Sequence, residues 1–336
     1  MKFTTLCYIE KDDKFLMLHR TVKENDANKD KWIGLGGKFE PGESPEDCLL
    51  REIKEEAGIT LTSYRFRGIV TFVSDEWEDE YMCLYTADQW QGEISDCDEG
   101  ELLWVKKERI PSLNLWEGDR IFLDLLATDE PFFSLKLQYQ KDNLVDAVLN
   151  GTPLEFFDLR DQEGNPTGKR KARVLAHQDG DLHGTSHIWV ARECNNNGYE
   201  LLLQKRSATK DAYPGCYDVS SAGHLDIGET YLEAAIREAR EELGLLVDEQ
   251  DLEFVGMHDV YMEEEFYHKP FRNHELSAIY LYKVTNSDQQ FTLQKEEVEA
   301  VRWFPYTTLL KEVQNNDINH CLVLDELKML EPYLKR

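Results

Sequence analysis

Glu52, Glu55 and Glu56 stand at spacings that place three carboxylates on one helix face, because positions i, i+3 and i+4 adjoin. Glu238, Glu241 and Glu242 repeat the arrangement further along the chain. Acids held this close repel one another unless cations neutralise them, and an all-oxygen donor set suits Mg²⁺ or Mn²⁺. The surroundings recur as well. Gly37, Glu43, Arg51, Glu52, Glu55, Glu56 and Gly58 have counterparts in Gly223, Glu229, Arg237, Glu238, Glu241, Glu242 and Gly244, each 186 positions later, as 223 is from 37. Both copies read G-x5-E-x7-R-E-U-x-E-E-x-G-U, with U aliphatic. A lone Glu-Glu-x-Gly is most often a solvated acidic face, with Arg51 and Lys54 or Arg237 and Arg240 in i,i+4 pairs. That reading accounts neither for the fixed distance from glycine to the first glutamate nor for its recurrence. The pattern is suited to holding divalent metal against a diphosphate, and two copies argue for two catalytic domains.

The elements that must position these groups follow from local signals. Residues 45–57 form a helix with Ser44 as N-cap, Pro45 at its first position and Gly58 as its stop. Residues 230–243 repeat it, stopped by Gly244. Glycine-containing loops, bent at Gly37 and Gly42 and at Gly223 and Gly228, bring backbone carbonyls toward each acidic cluster. Strands are expected at 3–9 and 14–20 around Asp12-Asp13, then near 65–73, 80–87 and 101–105, with a helix near 117–127 and a further strand at 132–139. In the second half strands are expected at 187–192 and 200–205 around a turn at 195–198, then near 252–261, 275–284 and 299–304, with a closing helix at 317–331. A hairpin around Glu163-Gly164-Asn165-Pro166 is expected within 156–180. The turn-forming cluster Asn150-Gly151-Thr152-Pro153 sets the expected boundary, giving domains 1–149 and 150–336. A chain of 336 residues fits two domains at ~100–200 residues each.

Hydrophobic content of 41% is enough for two cores, and no apolar run approaches the ~18–20 residues of a membrane helix. A net charge of −28 opposes nucleic-acid binding, so no nucleic-acid or membrane partner is expected. The seven cysteines are scattered and form no C-x-x-C, which reads as reduced thiols. With no secretory leader pattern at the start, a cytoplasmic location is expected. Composition leaves the oligomeric state open.

Both repeated segments resemble the Nudix box of the MutT/Nudix hydrolase superfamily. The resemblance implies an α/β (α+β) fold class, two tandem α/β/α sandwiches each built on a mixed sheet, and small-molecule nucleotide or diphosphate substrates. It implies that Glu52, Glu55 and Glu56 with the Gly37 carbonyl, and Glu238, Glu241 and Glu242 with the Gly223 carbonyl, bind Mg²⁺ or Mn²⁺ and carry catalysis. Glu43 with Arg51, and Glu229 with Arg237, would brace each loop against its helix.

The first half resembles MutT-type diphosphatases of oxidised purine nucleotides such as 8-oxo-dGTP. The segments that carry the likeness are Lys31-Trp32-Ile33-Gly34-Leu35-Gly36-Gly37-Lys38, Asp98-Glu99 and Leu115-Trp116-Glu117-Gly118-Asp119. The implied roles are a base pocket lined by Trp116, Asp119 and Phe72, Lys38 on a phosphate, and Glu99 as an additional ligand or base. The implied reaction converts a purine nucleoside triphosphate to monophosphate and diphosphate. Ile33 and Gly118 depart from the animal members, which carry Asn and Asp there. The bland alternatives are a packed Trp116, a core Phe72, and an Asp119 that charges the first turn of its helix.

The second half resembles Nudix proteins near isopentenyl-diphosphate isomerase, through His183-Gly184-Thr185-Ser186-His187-Ile188-Trp189-Val190, Leu203-Gln204-Lys205-Arg206-Ser207, the segment 210–215 and Ala222-Gly223-His224. His177, His183 and His224 are placed roughly like the isomerase's metal-binding histidines, and His224 belongs to the implied pocket; the bland alternative is that His183 and His187 lie on a strand near the sheet edge and hydrogen-bond locally. Ala222 stands where the isomerase has its proton-transferring Cys, so a diphosphate hydrolase is expected, with isomerase or non-catalytic ligand sensor as rivals. Lys205, Arg206 and Lys210 suit a diphosphate. Glu297 and Glu299 are candidates for a late assisting acid, or plain surface acids.

Overall fold

The computed structural model describes residues 1–22, 26–128, 130–194, 198–210, 212–266, 269–285 and 289–334. Residues 195–197 of the turn expected at 195–198, and Asp211, lie outside the described residues. The chain forms two compact units, Met1–Glu155 and Phe156–Arg336.

Unit one comprises β1 (Lys2–Lys11), β2 (Lys14–Arg20), β3 (Trp32–Ile33), α1 (Pro45–Ala57), β4 (Thr60–Ser74), β5 (Glu80–Gln91), β6 (Gly100–Lys106), α2 (Glu117–Ala127), β7 (Phe133–Gln140), β8 (Asn143–Leu149) and β9 (Thr152–Pro153). Its sheet runs β3-β2-β1-β5-β4-β7-β8-β9, with β6 also on β2. The β1–β5 and β4–β7 pairs are parallel, so the sheet is mixed. Alternate residues of β1 go to opposite faces. Cys7 and Ile9 pack with Leu49, Ile53 and Ala57 of α1. Tyr8 turns the other way, its ring 6.0 Å from Phe122 of α2.

Unit two comprises β10 (Phe156–Arg160), β11 (Pro166–Ala172), α3 (Arg173–Asp179), β12 (His183–Cys194), β13 (Gly198–Arg206), β14 (Tyr217–Asp218), β15 (Ser221–His224), α4 (Tyr231–Leu243), β16 (Leu252–Phe266), β17 (Lys269–Lys283), β18 (Val298–Pro305), α5 (Tyr306–Asn315), α6 (Leu324–Met329) and α7 (Glu331–Leu334). Strand β12 is central, parallel to β17 and antiparallel to β13 and β15. Ile188 and Val190 pack against Ala235, Ala239 and Leu243 of α4. Trp189 and Ala191 face Leu309, Leu327, Leu330 and Leu334 on the other side. Each buried leucine of this kind contributes ~1.5–3 kcal/mol. Each unit is thus a mixed sheet between helices.

Three local expectations change. The turn at Asn150 and Gly151, with φ of 50° and 84°, joins β8 to β9, so it lies inside a hairpin of unit one. The hairpin β10–β11 is followed by the helix α3 rather than running on to residue 180. The single helix expected at 317–331 is absent as such. Asn316 closes α5 in the left-handed region, and the chain then lies along β14, with Tyr217 N–H donating to Asn319 O at 2.9 Å and Cys321 N–H to Tyr217 O at 3.0 Å. Backbone groups bonded to a strand cannot also close helical turns, so helix resumes only at α6.

Candidate active site

The two acidic clusters sit on helices with matching ends. Ser44 caps α1 with a reciprocal Asp47 bond, and Thr230 caps α4 with Glu233. Gly58 and Gly244 close the helices at φ 71° and 62°, a region that favours glycine. Arg51 then ties helix to loop. Its Nε donates to Glu43 Oε1 at 2.6 Å, and its terminal nitrogens donate to Lys38 O at 2.9 Å, Glu52 Oε1 at 2.8 Å and Glu55 Oε2 at 3.2 Å. Arg237 makes the same set to Glu229 at 2.9 Å, His224 O at 2.9 Å, Glu238 at 2.6 Å and Glu241 at 3.3 Å. Every partner keeps the 186-residue offset.

The third acid of each cluster points inward. Glu56 accepts from Gly36 N–H at 2.8 Å, and Glu242 from Ala222 N–H at 3.1 Å. Burial raises both carboxyls to about 8, with neighbouring acids adding to the rise. Burial likewise raises Glu238 to about 7, against the opposing pull of Arg237. A Cβ on Gly37 would collide with the Glu52 carboxylate, and one on Gly223 with that of Glu238, so only glycine lets loop and acid approach. The Gly37 carbonyl accepts from Thr5 N–H at 2.9 Å and, weakly, from the Cys48 thiol at 3.7 Å. Crowded, partly desolvated carboxylates beside a backbone carbonyl are a donor set that fits a divalent cation.

Around the first cluster, Glu99 pairs with Arg20 and adds to the negative field at Glu56. Lys38 is exposed on the loop. Trp116 is buried. Its Nε1 donates to Asn28 Oδ1 at 2.8 Å, Lys31 Nζ lies 4.4 Å over its ring, and Phe72 and Tyr139 meet it edge-on. Asp119 is only 6% exposed, and no hydrogen bond to its carboxyl is found among the described residues. Burial raises it to about 7, although Lys31 pulls the other way. Gly118 is bare because Tyr139 from β7 takes the space. Its hydroxyl accepts from Gly118 N–H at 2.7 Å, and a Cβ there would lie 2.8 Å from that oxygen.

Around the second cluster, His177, His183 and His224 bring one ring nitrogen each to within 4.8 Å of one another. Phe157 stacks on His183 and His224 at 4.4 and 4.5 Å. Burial lowers His177 to about 3 and His183 to about 4, the neighbouring imidazoles adding to the effect, which keeps both rings in the neutral, ligating form. Glu275 Oε1 stands 3.5 Å from His224 Nε2 and 3.9 Å from His183 Nε2. The cations are engaged within the fold. Arg206 bonds Asp218 at 3.0 Å and the Ala212 carbonyl, Lys205 bonds Glu299 at 2.8 Å, and Lys210 pairs with Glu297. Cys216 is buried and bonds Asn319 Oδ1 at 3.3 Å.

Several groups were not singled out in the sequence. Glu275 is one of many acids in this chain, and only its register opposite His183 on β17 brings it to the imidazoles. Tyr139 reaches Gly118 because β7 adds to the sheet beside β4. His187 Nδ1 meets Glu326 at 3.0 Å across 139 positions, and no local pattern signals that contact.

A family model described as "NUDIX domain" matches residues 2–126 and 187–322. "Nudix hydrolase 3" of Arabidopsis thaliana is 40% identical over 156 residues, 45% of this chain and 19% of that protein. An uncharacterised Nudix hydrolase of Clostridium acetobutylicum is 37% identical over 144 residues, 43% of this chain and 66% of its own length. The chain therefore spans less than two thirds of either relative. "Oxidized purine nucleoside triphosphate hydrolase" of Danio rerio is 28% identical over 132 residues, 39% of this chain and 83% of that protein. Among solved structures, a MutT protein from Bacillus halodurans has 26% identity and a TM-score of 0.40, covering 45% of this chain and 98% of its own.

Proposed function

Because the chain belongs to the NUDIX domain family, we propose that its two units are separate catalytic domains, each hydrolysing a diphosphate linkage with a divalent ion, Mg²⁺ or Mn²⁺. The observation that carries this reading is the duplicated brace, in which Arg51 and Arg237 hold equivalent loops and acids with equivalent bonds. Glu52, Glu55, Glu56 and the Gly37 carbonyl would hold metal in unit one. Glu238, Glu241, Glu242 and the Gly223 carbonyl would do so in unit two. A divalent ion there neutralises diphosphate charge and makes water a better nucleophile. Arg51 and Arg237 keep the acids in register, and the Glu56 and Glu242 carboxylates are fixed by one backbone N–H each. Glu99 is the proton acceptor or additional ligand of unit one. Water oxygen bonds to phosphorus as the bridging P–O bond breaks, the displaced oxygen leaving with its own half of the substrate.

In unit one the substrate is a purine nucleoside triphosphate, oxidised or not, cleaved to monophosphate and diphosphate. The buried Asp119 supports this, since no hydrogen bond to its carboxyl is found among the described residues and a base N–H would supply one. The name of the Danio rerio relative points the same way. Lys38 meets a phosphate, while Phe72 and Trp116 form the wall. In unit two the substrate is a second diphosphate ester. Ala222 offers no proton for allylic isomerisation, and the Cys216 thiol is bonded elsewhere. A second ion on His177, His183 and His224, with Glu275 beside it, is favoured by the three converging ring nitrogens.

The test is a panel of nucleoside triphosphates, oxidised nucleotides, nucleotide sugars, dinucleotides and isoprenoid diphosphates, run with Mg²⁺ on the full chain and on E56Q and E242Q. Each variant is expected to lose one activity and keep the other. Survival of every activity in one variant removes that unit from catalysis.

A further inference from the structure

The two sheets can be superposed in register. In unit one the bridges Thr4↔Lys38 and Cys7↔Leu35 set Leu6 opposite Gly36. In unit two Thr185 pairs with His224 and His187 with Ala222. Leu6 and His187 are therefore equivalent, as are Tyr8 and Trp189, both pairs 181 positions apart. The helix over this face supplies a buried acid at its third residue in each unit, Asp119 in α2 and Glu326 in α6. In unit two that acid is occupied. Glu326 is 2% exposed, accepts Trp189 Nε1–H at 2.7 Å and meets His187 Nδ1 at 3.0 Å.

We propose that His187 is a substrate-binding residue of unit two, its Nε2–H donating to an oxygen of the group esterified to the diphosphate, with Glu326 as the positioning residue that holds the ring. The proposal rests on the hydrolase reading of unit two and names the polarity of its pocket. Nδ1 is committed to Glu326, so Nε2 points away from it. The ring keeps 16% of its side-chain surface exposed, and no hydrogen bond of Nε2 is found among the described residues. Ala222, opposite His187, carries only a methyl group, and the next residue is Gly223 of the metal-holding loop. Burial works against charge on the ring, but Glu326 more than offsets it and raises His187 to about 9, so both nitrogens carry protons at neutral pH. Unit one has an apolar Leu6 here, and no hydrogen bond to the Asp119 carboxyl is found among the described residues. Unit one thus presents a carboxyl where unit two presents an imidazole N–H.

The experiment takes the full chain carrying E56Q, so that turnover comes from unit two, and the panel compound it hydrolyses fastest. H187L, which copies unit one, should raise KM about 10-fold or more and change kcat by less than about 3-fold, the size expected for one charge-assisted hydrogen bond. H187Q keeps an N–H donor and should recover most of the loss, and E326Q should raise KM as the ring is freed. Imidazole ¹H–¹⁵N spectra of the parent should show the His187 Nε2 signal shift on saturation, a readout that needs no variant to fold. An unchanged KM in H187L, or an unmoved Nε2 signal, overturns the proposal alone. A parent that turns over no panel compound overturns the hydrolase reading of unit two and the proposal with it.

Discussion

Asp119 in unit one and Glu326 in unit two are both the third residue of a helix lying over the same sheet position, and both are buried. Their carboxyls nevertheless shift in opposite directions. Burial raises Asp119 to about 7, whereas Glu326, although burial opposes it, is held at about 2 by His187 and its hydrogen bonds. The difference lies in what the neighbouring strand offers. Leu6 and Tyr8 give Asp119 no compensating charge, while His187 and Trp189 give Glu326 two donors. The same fold element thus leaves its acid without a hydrogen bond among the described residues in one unit and uses it to hold an imidazole in the other. The Arg51 and Arg237 braces of the two acidic boxes, by contrast, make the same set of bonds.

The sharpest way to break this comparison is to truncate the acids. E326A removes the acceptor of both Trp189 Nε1–H and His187 Nδ1–H, leaves the buried indole N–H without that partner, and should destabilise unit two by about 3 kcal/mol, measured by denaturant unfolding. D119A should not destabilise unit one by more than a small cavity cost. Equal losses would show that the two acids are structurally alike. Next in size, Gly37→Ala and Gly223→Ala should each cut the activity of their own unit by about 100-fold, because a displaced acid misplaces the reacting groups, and the effects should be equal if the boxes are truly equivalent. Kinetics with the other unit disabled checks this.

The pH dependence of stability should also differ in sign. Asp119 binds its proton more tightly folded than unfolded, so ionisation costs stability as pH rises from 3.8 to about 7. D119N should match the parent below pH 4 and exceed it by roughly 1–3 kcal/mol above pH 7. The His187 contribution is complete below 6.5 and lost as pH rises through about 9, and that of Glu326 is complete above 4.5 and lost as pH falls through about 2. The penalty of E326Q should therefore be greatest between pH 4.5 and 6.5 and shrink toward pH 9, as read by calorimetry. Smallest of all, K31M removes the cation over Trp116 and should cost unit one about 0.5–1 kcal/mol, leaving unit two unchanged.

What could be read from the sequence was whatever local spacing controls. The three acids on one helix face, the caps Ser44 and Thr230, the stops Gly58 and Gly244, and the Arg–Glu braces all lie within 15 positions of one another in each copy. Helical geometry and steric limits act over that range, so the boxes and most strands were legible. The helix expected at 317–331 failed because β14 captured the intervening backbone, a competition that periodicity does not register. The hairpin β8–β9 was missed because its turn residues signal a bend without saying which sheet receives it.

The sequence by itself determined that this chain carries two equivalent carboxylate clusters, each on a capped helix behind a glycine loop, because repulsion and helical spacing leave few other uses for such a pattern. Tertiary structure alone decided the long-range contacts elsewhere in each unit. Tyr139 reaches Gly118 only because β7 joins β4 in parallel, Glu275 reaches the imidazoles only through the register of β12 with β17, and Glu326 finds His187 across 139 positions. Such contacts depend on long-range pairing and burial, which set the charge state of the acids they involve.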